Sequence, residues 1–266
     1  MTELVELNEA ELDRNLRTYH ANDGCYCYCG NTLVAVNPFK NIPGLYDNRD
    51  SFTGISEREL RDKPHMFAIA ELAFQKCFMD KKNGGGKQAL VITGESGAGK
   101  TWNTKKALSY LATVGKCPAK GGRAPVTERM VNSNVILDMF GNATMPRNDD
   151  SSRFGKLFQV FFDRSSKQIT GAQITPYLLE KGRLIHQAHR ERNFHVFYGL
   201  LAGADASLKS KLHLLERHQY RYLNRFIPAA PQKFDLGKEY KSDSDADRLL
   251  YEVCTPNSNV TLNPEP

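Results

Sequence analysis

An α/β fold, a sheet flanked by helices, is predicted by three features of this sequence. The apolar run Ala89-Leu-Val-Ile92 has strand character and passes into Gly94-Glu-Ser-Gly-Ala-Gly-Lys-Thr101, which opens a helix reaching about Val114. Leu157–Phe162 and Ile169–Leu179 read as two strands joined by the turn-forming Asp163-Arg-Ser-Ser-Lys167. Met66, Phe67, Ile69, Ala70, Ala73, Phe74 and Cys77 recur at helical spacing and mark a buried helix face. Strand, glycine loop and helix in that order place a ligand at the carboxyl ends of the strands.

The glycine loop fits G-x-x-x-x-G-K-[ST] in its required context, with a strand before and a helix after. Gly94, Gly97 and Gly99 let the backbone fold tightly enough to aim several N–H groups at one anion, with Glu95, Ser96 and Ala98 completing the cradle. The start of the helix adds its positive end. Lys100 would reach the β- and γ-phosphates, and the Thr101 hydroxyl would complete a Mg²⁺ shell. A glycine-rich turn with a chance lysine does not account for every anchor position being filled. The reading is a P-loop NTPase that binds a nucleoside triphosphate.

The other elements follow in order. Leu4, Leu7, Leu12 and Leu16 predict a helix over 3–18, broken by Asn22-Asp-Gly24. Cys25 to Val36 predicts a strand or hairpin ending at Asn37-Pro38, where proline stops the ladder. In Cys25-Tyr-Cys-Tyr-Cys29 the alternation puts three thiols on one strand face; without a second ligand pair, this reads as packing, not metal binding. Asn37 to Tyr46 is a loop with aromatics at its ends. Pro64 is placed as the first helical residue of the 66–77 segment, and Asn83-Gly-Gly-Gly86 as a flexible connector. Gly115 to Pro125 reads as a mobile basic loop. A helix over 127–140 would bury Met130, Val131, Leu137 and Phe140 and close at Gly141-Asn142.

The segment 147–156 reads as a polar, hydroxyl-rich loop. Its serines can hold Mg²⁺ or an attacking water and Arg153 can answer phosphate charge; a plain solvated loop accounts for it equally well. Pro176 must sit where no backbone donor is needed. Phe194, Phe197, Tyr198 and Leu201 mark a helix ending at Gly203. From about Pro228 the chain turns polar and reads as a poorly ordered tail, which divides it into 1–227 and 228–266.

The 266 residues carry a net charge of +6 with no dense basic stripe, so nucleic acid is not expected as a partner. No apolar run reaches membrane-span length and the first residues lack a basic signal start, so the expected location is cytoplasmic.

Several stretches together resemble the myosin motor head. Gly94–Thr101 matches the phosphate loop typical of myosins, and Asn148-Asp-Asp-Ser-Ser-Arg-Phe-Gly-Lys156 resembles their switch I. Asn37-Pro-Phe-Lys to Tyr46 resembles the purine-binding loop. Tyr177-Leu-Leu-Glu-Lys181 and Glu191-Arg-Asn-Phe-His-Val-Phe-Tyr198 resemble two further signatures. Leu4-Val-Glu-Leu-Asn-Glu-Ala, Ile42-Pro-Gly-Leu-Tyr46 and Tyr220-Arg-Tyr-Leu-Asn-Arg225 are most similar to class VI. A kinesin is disfavoured because its Ser-Ser-Arg switch continues Ser-His, not Phe-Gly-Lys. A small-molecule kinase lacks its arginine-rich lid here.

The resemblance implies the N-terminal part of a motor core with a mixed central sheet flanked by helices. It further implies a Mg-ATPase activated by actin filaments and associated with the cytoskeleton; light chains or calmodulin would bind only through regions this sequence does not contain. Asn37 and Tyr46 would border the adenine. Gly94 to Lys100 would hold the phosphates, with Thr101 and Ser152 as the Mg²⁺ ligands. Asn148 would contact the phosphates and Ser151 would lie near the γ-phosphate and its attacking water. Arg153 would pair with a glutamate of switch II, and Lys100, Ser151 and Arg153 form the implied catalytic set.

The sequence departs from the family pattern at Trp102, where a glutamate is usual, at Asp150, where a second asparagine is usual, and at Pro176. The added charge of Asp150 about 10 Å from a triphosphate is expected to cost on the order of 1–2 kcal/mol before screening. Switch II, Asp-x-x-Gly-Phe-Glu, has no match; Phe234-Asp-Leu-Gly-Lys-Glu239 is one residue short. The expected consequences are unpaired strands, an Arg153 without its counter-charge, and very slow ATP hydrolysis by these residues alone. The alternative reading is a motor-inactive nucleotide-binding or interaction module.

Overall fold

The structure is a computed structural model that describes residues 8–80, 82, 85–116 and 126–223. It divides into two compact units, residues 1–131 with 160–172, and residues 132–159 with 173–266. Asn83, Gly84, the body of the basic loop, the switch-II-like string and the tail from 228 lie outside the described residues, as do the side chains of Met130 and Val131.

In the first unit, α1 spans Glu9–Ala21 rather than 3–18. Asn8 sets its start by accepting the Glu11 N–H at 2.9 Å, and Asn22 ends it. The predicted hairpin forms as β1 (Tyr26–Cys29) against β2 (Thr32–Ala35), antiparallel, with Cys27 opposite Val34. Cys25 and Cys27 are buried and Cys29 half-buried, but Tyr26 between them is buried too, so both faces are covered at this point. Burial pushes the Cys25 and Cys27 thiols up.

The short α2 (Glu57–Asp62) starts with a capping box between Ser56 and Glu59. The next helix, α3 (Met66–Phe78), is capped by His65, whose ring nitrogen accepts the Phe67 N–H at 3.0 Å. Pro64 therefore precedes the cap instead of occupying the first helical position. α3 packs on α4 (Lys100–Val114) over a core of Tyr26, Met66, Phe67, Ala70, Ala107 and Tyr110. Glu71 is buried in this core with no ion-pair partner among the described residues. Its carboxylate accepts from the Gly54 N–H at 2.9 Å, the Gln75 amide at 2.8 Å and the Tyr110 hydroxyl at 2.8 Å, which replaces its lost hydration.

The chain passes from the first unit to the second within α5 (Val126–Gly141), and again within β5 (Phe154–Phe162) and β6 (Ile169–Leu179). The buried face of α5 differs from the expected one: Phe140 is 61% exposed, while Asn134, Asp138 and Met139 are buried. The cause is a half-buried cation. The Lys156 ammonium lies 3.2 Å from both Asn134 Oδ1 and Asp138 Oδ1, turning the polar side of the helix inward.

A hairpin that hydrophobic patterning misses follows directly, β3 (Asn142–Met145) with β4 (Asn148–Ser152), pairing Asn142 with Ser152 and Ala143 with Ser151. The 147–156 segment is thus mostly strand, not loop. β5 and β6 pair as expected, and β5 begins at Phe154. Pro176 lies within β6 of this two-stranded ladder. α6 (His195–Gly203) and α7 (Ala206–Lys211) complete the second unit.

The predicted mixed central sheet is not formed among the described residues: the strands make three separate two-stranded ladders. Ala89–Ile92 joins no strand ladder among the described residues, and Val91 is 86% exposed. A strand exists through its neighbours' hydrogen bonds, and none is supplied here.

Gly141 offers a local test of packing. A Cβ there would overlap the Phe154 ring. Gly141→Ala is expected to lower stability by about 1–3 kcal/mol through overpacking, and as the last residue of α5 it gains little from alanine's helix preference. A denaturation midpoint equal to or above that of the parent chain would contradict this packing.

Candidate functional site

The phosphate loop is shaped by its glycines. Gly97 (φ 84°) and Gly99 (φ 89°) adopt the left-handed conformation that side chains resist. Gly99 is also the N-cap of α4 and, having no side chain, gives the start of the helix no side-chain cap of its own. An anion can therefore take the place a capping carboxylate or hydroxyl would fill. The Lys100 ammonium folds back across the loop and donates to the carbonyls of Gly94 at 2.6 Å and Glu95 at 2.7 Å. Glu95 and Ser96 are exposed, and Ala98 closes a turn by donating its N–H to Glu95 at 3.2 Å.

Asn37 joins the loop to the preceding segment. Its amide nitrogen donates to the Gly97 carbonyl at 2.7 Å, while its oxygen accepts the Phe39 N–H at 3.0 Å. Tyr46 stands over the start of α4, its ring edge-on to Trp102 with centroids 6.0 Å apart. The Trp102 indole N–H donates to the Tyr46 hydroxyl at 3.0 Å. The Lys106 ammonium lies 4.1 Å from the Tyr46 ring centre and 4.4 Å from that of Trp102. Burial, with Arg49 nearby, holds the Lys106 amine below its ordinary range despite Asp47. Asn37, Tyr46 and Gly94–Thr101 are thus brought together within the first unit.

In the second unit the strand period sorts the other predicted residues. On β4, Ser151 is buried and Ser152 exposed, because alternate residues face opposite ways. The Asn148 side chain accepts the Asp150 N–H at 3.1 Å. Arg153 does have a counter-charge: its Nε donates to Glu180 Oε2 at 2.6 Å and its Nη1 to the Ser151 hydroxyl at 3.2 Å. The expectation of an unpaired Arg153 is overturned, because the backbone bond from Glu180 N–H to the Arg153 carbonyl, 3.0 Å, brings Glu180 alongside. Burial pushes the Glu180 carboxyl upward, but Arg153 and Arg183 outweigh it and hold it below the usual carboxylate range.

Asp150 is also partnered. The Asn142 amide donates to its carboxylate at 2.7 Å, and His195 Nε2 lies 3.4 Å from the same oxygen.

Residue patterning did not single out Tyr26, Asn103, Lys106 or Glu180. Asn103 carried a readable signal, since it follows Gly99 by one helical turn and can return its amide to that carbonyl. Tyr26 carried none. A cavity of ≈ 440 Å³ in the second unit is lined mostly by apolar groups such as Leu184, Phe197, Leu200 and Leu223. Among the described residues no helix is long and apolar enough to cross a membrane.

The comparisons agree with these motifs. The family model "Myosin head (motor domain)" matches residues 1–250. Myosin type-2 heavy chain 1 of Schizosaccharomyces pombe is 44% identical over 224 residues, 84% of this chain and 14% of that protein. Unconventional myosin-VI of Mus musculus is 42% identical over 224 residues, 84% of this chain and 17% of that protein. Myosin-4 of Saccharomyces cerevisiae is 37% identical over 253 residues, 94% and 17% respectively. Type-2 and class VI relatives match to a similar degree, and the chain spans only a small part of each. With the match running through the phosphate loop and the paired hairpin of 148–156 alike, this chain belongs to the myosin head (motor domain) family, whose fold is that of the P-loop NTPases.

Proposed function

We propose that this chain forms the ATP-binding part of an actin-based motor, in which hydrolysis of Mg·ATP is coupled to movement on filaments. The observation that carries the reading is the glycine-capped start of α4, with Lys100 folded over the loop and Asn37 bonded to Gly97. These groups fit a triphosphate: a helix start whose cap residue is glycine and a cation meet on one loop. Gly94, Glu95, Ser96, Gly97, Ala98, Gly99 and Lys100 would hold the phosphates, and Asn37 and Tyr46 would border the base. Thr101, and by motif position Ser152, would ligate Mg²⁺; the metal, when bound, neutralises charge on the β- and γ-phosphates. By the same reasoning Asn148 would contact phosphate and Ser151 would orient the attacking water. Arg153 would hold this segment in place through Glu180. Actin, cytoskeletal association and a cytoplasmic location belong to the same proposal.

The test is a titration of Mg·ATP into the purified chain, followed by the fluorescence of Trp102, the single tryptophan. A saturable change is expected, and its loss in Lys100→Ala. A response that survives in Lys100→Ala places the nucleotide elsewhere.

That Ala89–Ile92 joins no ladder among the described residues supports a second reading, a nucleotide-binding module without motor activity. Positioning supplies most of the rate in phosphoryl transfer, and an unanchored strand positions poorly. ATP turnover by these 266 residues is accordingly expected to be very slow and unaffected by actin filaments. An ordinary actin-activated rate decides for the motor.

A further inference from the structure

A hydrogen-bond chain leads from the phosphate loop to Tyr46, and its direction is fixed at every step. The Asn103 amide nitrogen donates to the Gly99 carbonyl at 3.0 Å. A carbonyl only accepts, so the amide oxygen of Asn103 must face the other way, where the Tyr26 hydroxyl lies at 2.7 Å. Tyr26 has one hydroxyl hydrogen and spends it on Asn103. The 2.8 Å contact between the Tyr26 and Tyr46 hydroxyls therefore uses the hydrogen of Tyr46. Trp102 Nε1 is a donor only, and its 3.0 Å bond takes one lone pair of the Tyr46 oxygen. Tyr26 is 4% and Asn103 7% exposed, so water does not compete for the inner links. The Tyr46 hydroxyl is left with no hydrogen to give and one lone pair to offer.

We infer that Tyr46 meets a bound base as an acceptor only, and that the phosphate loop imposes this polarity through Asn103 and Tyr26. A base edge that presents an amino group is taken; one that presents a carbonyl is refused, because two acceptors would face each other. Tyr26 and Asn103 are then specificity-determining residues that do not touch the base. The inference rests on the reading of Tyr46 as the neighbour of the base.

The test compares Mg·ATP with Mg·ITP, which carries a carbonyl where adenine carries its amino group, by titration calorimetry on the purified chain. The parent chain is expected to bind ATP about tenfold more tightly, the scale of one net hydrogen bond. Tyr26→Phe releases the Tyr46 hydrogen and should bring the two affinities together or invert them. Tyr46→Phe should weaken ATP binding to the level of ITP. Equal affinities in the parent chain, with both weakened by Tyr46→Phe, overturn the relay while keeping the base beside Tyr46. No change of either affinity in Tyr46→Phe overturns the base reading, and the inference with it. A measurement without nucleotide guards against a variant that folds poorly. The Trp102 indole N–H resonance should move upfield in Tyr46→Phe and stay in place in Tyr26→Phe; an unmoved resonance in Tyr46→Phe removes the relay.

Discussion

Replacing Phe67 by alanine is expected to lower the stability of the first unit by about 3–5 kcal/mol, the range for truncating a fully buried phenylalanine. Phe67 is 0% exposed and stacks on Tyr110 with ring centroids 5.2 Å apart. Its remaining faces meet His65, Phe52 and Tyr46 at 4.5 to 5.9 Å. Truncation removes these contacts at once and opens a cavity that rings on α3 and α4 cannot both collapse into. Because one neighbour is Tyr46, the loss reaches the base loop as well as the core. Urea unfolding followed by Trp102 fluorescence measures it, since Trp102 lies in the same unit. Phe67→Leu should recover much of the loss. A decrease under about 1 kcal/mol for the alanine variant would show that this core is loosely packed.

The second large effect is a loss of stability in acid, traced to His65. Burial pushes its imidazole down from the ordinary 6.5 to about 4, with a backbone bond at Leu45 opposing the shift and Lys106 adding to it. Above pH 6.5 the ring is neutral in both folded and unfolded chains, and its full contribution is present. Between pH 6.5 and about 4 the unfolded chain binds a proton that the folded chain refuses, so stability falls as pH falls. The shift corresponds to about 3 kcal/mol once both values are passed. The imidazole sits among the rings of Tyr26, Tyr46, Phe52 and Phe67, which replace water poorly around a charge. His65→Asn keeps an acceptor for the Phe67 N–H and removes the titration. Its unfolding free energy should be lower at pH 7 but flatter down to pH 4. If the variant and parent chain fall in parallel through that window, His65 is not the group responsible.

Much of the candidate site was legible before any coordinates. Gly94–Thr101 declares itself because a tight anion-binding loop needs glycine at particular backbone positions and a lysine at one other. The helix it opens, Lys100–Val114, lies where the motif requires. Ile169–Leu179 and His195–Gly203 were readable from apolar spacing for the same local reason. The short hairpin of Asn142–Met145 and Asn148–Ser152 was not, since its residues are polar and its pairing is a property of two segments together. The face of α5 escaped as well, because a lysine on another element decides which side turns inward.

The sequence by itself determined the family, the phosphate loop and the order of most helices and strands, because each depends on residues close along the chain. Tertiary structure decided the partners. Glu180 answers Arg153, Asn142 holds Asp150, and Glu71 is satisfied by groups from Gly54, Gln75 and Tyr110. It also decided that Ala89–Ile92 joins no ladder among the described residues and that the hydrogen of Tyr46 points inward. The physical reason is the same in each case. A strand, a buried charge and a hydroxyl proton take their state from the group across from them, and that group stands elsewhere in the chain.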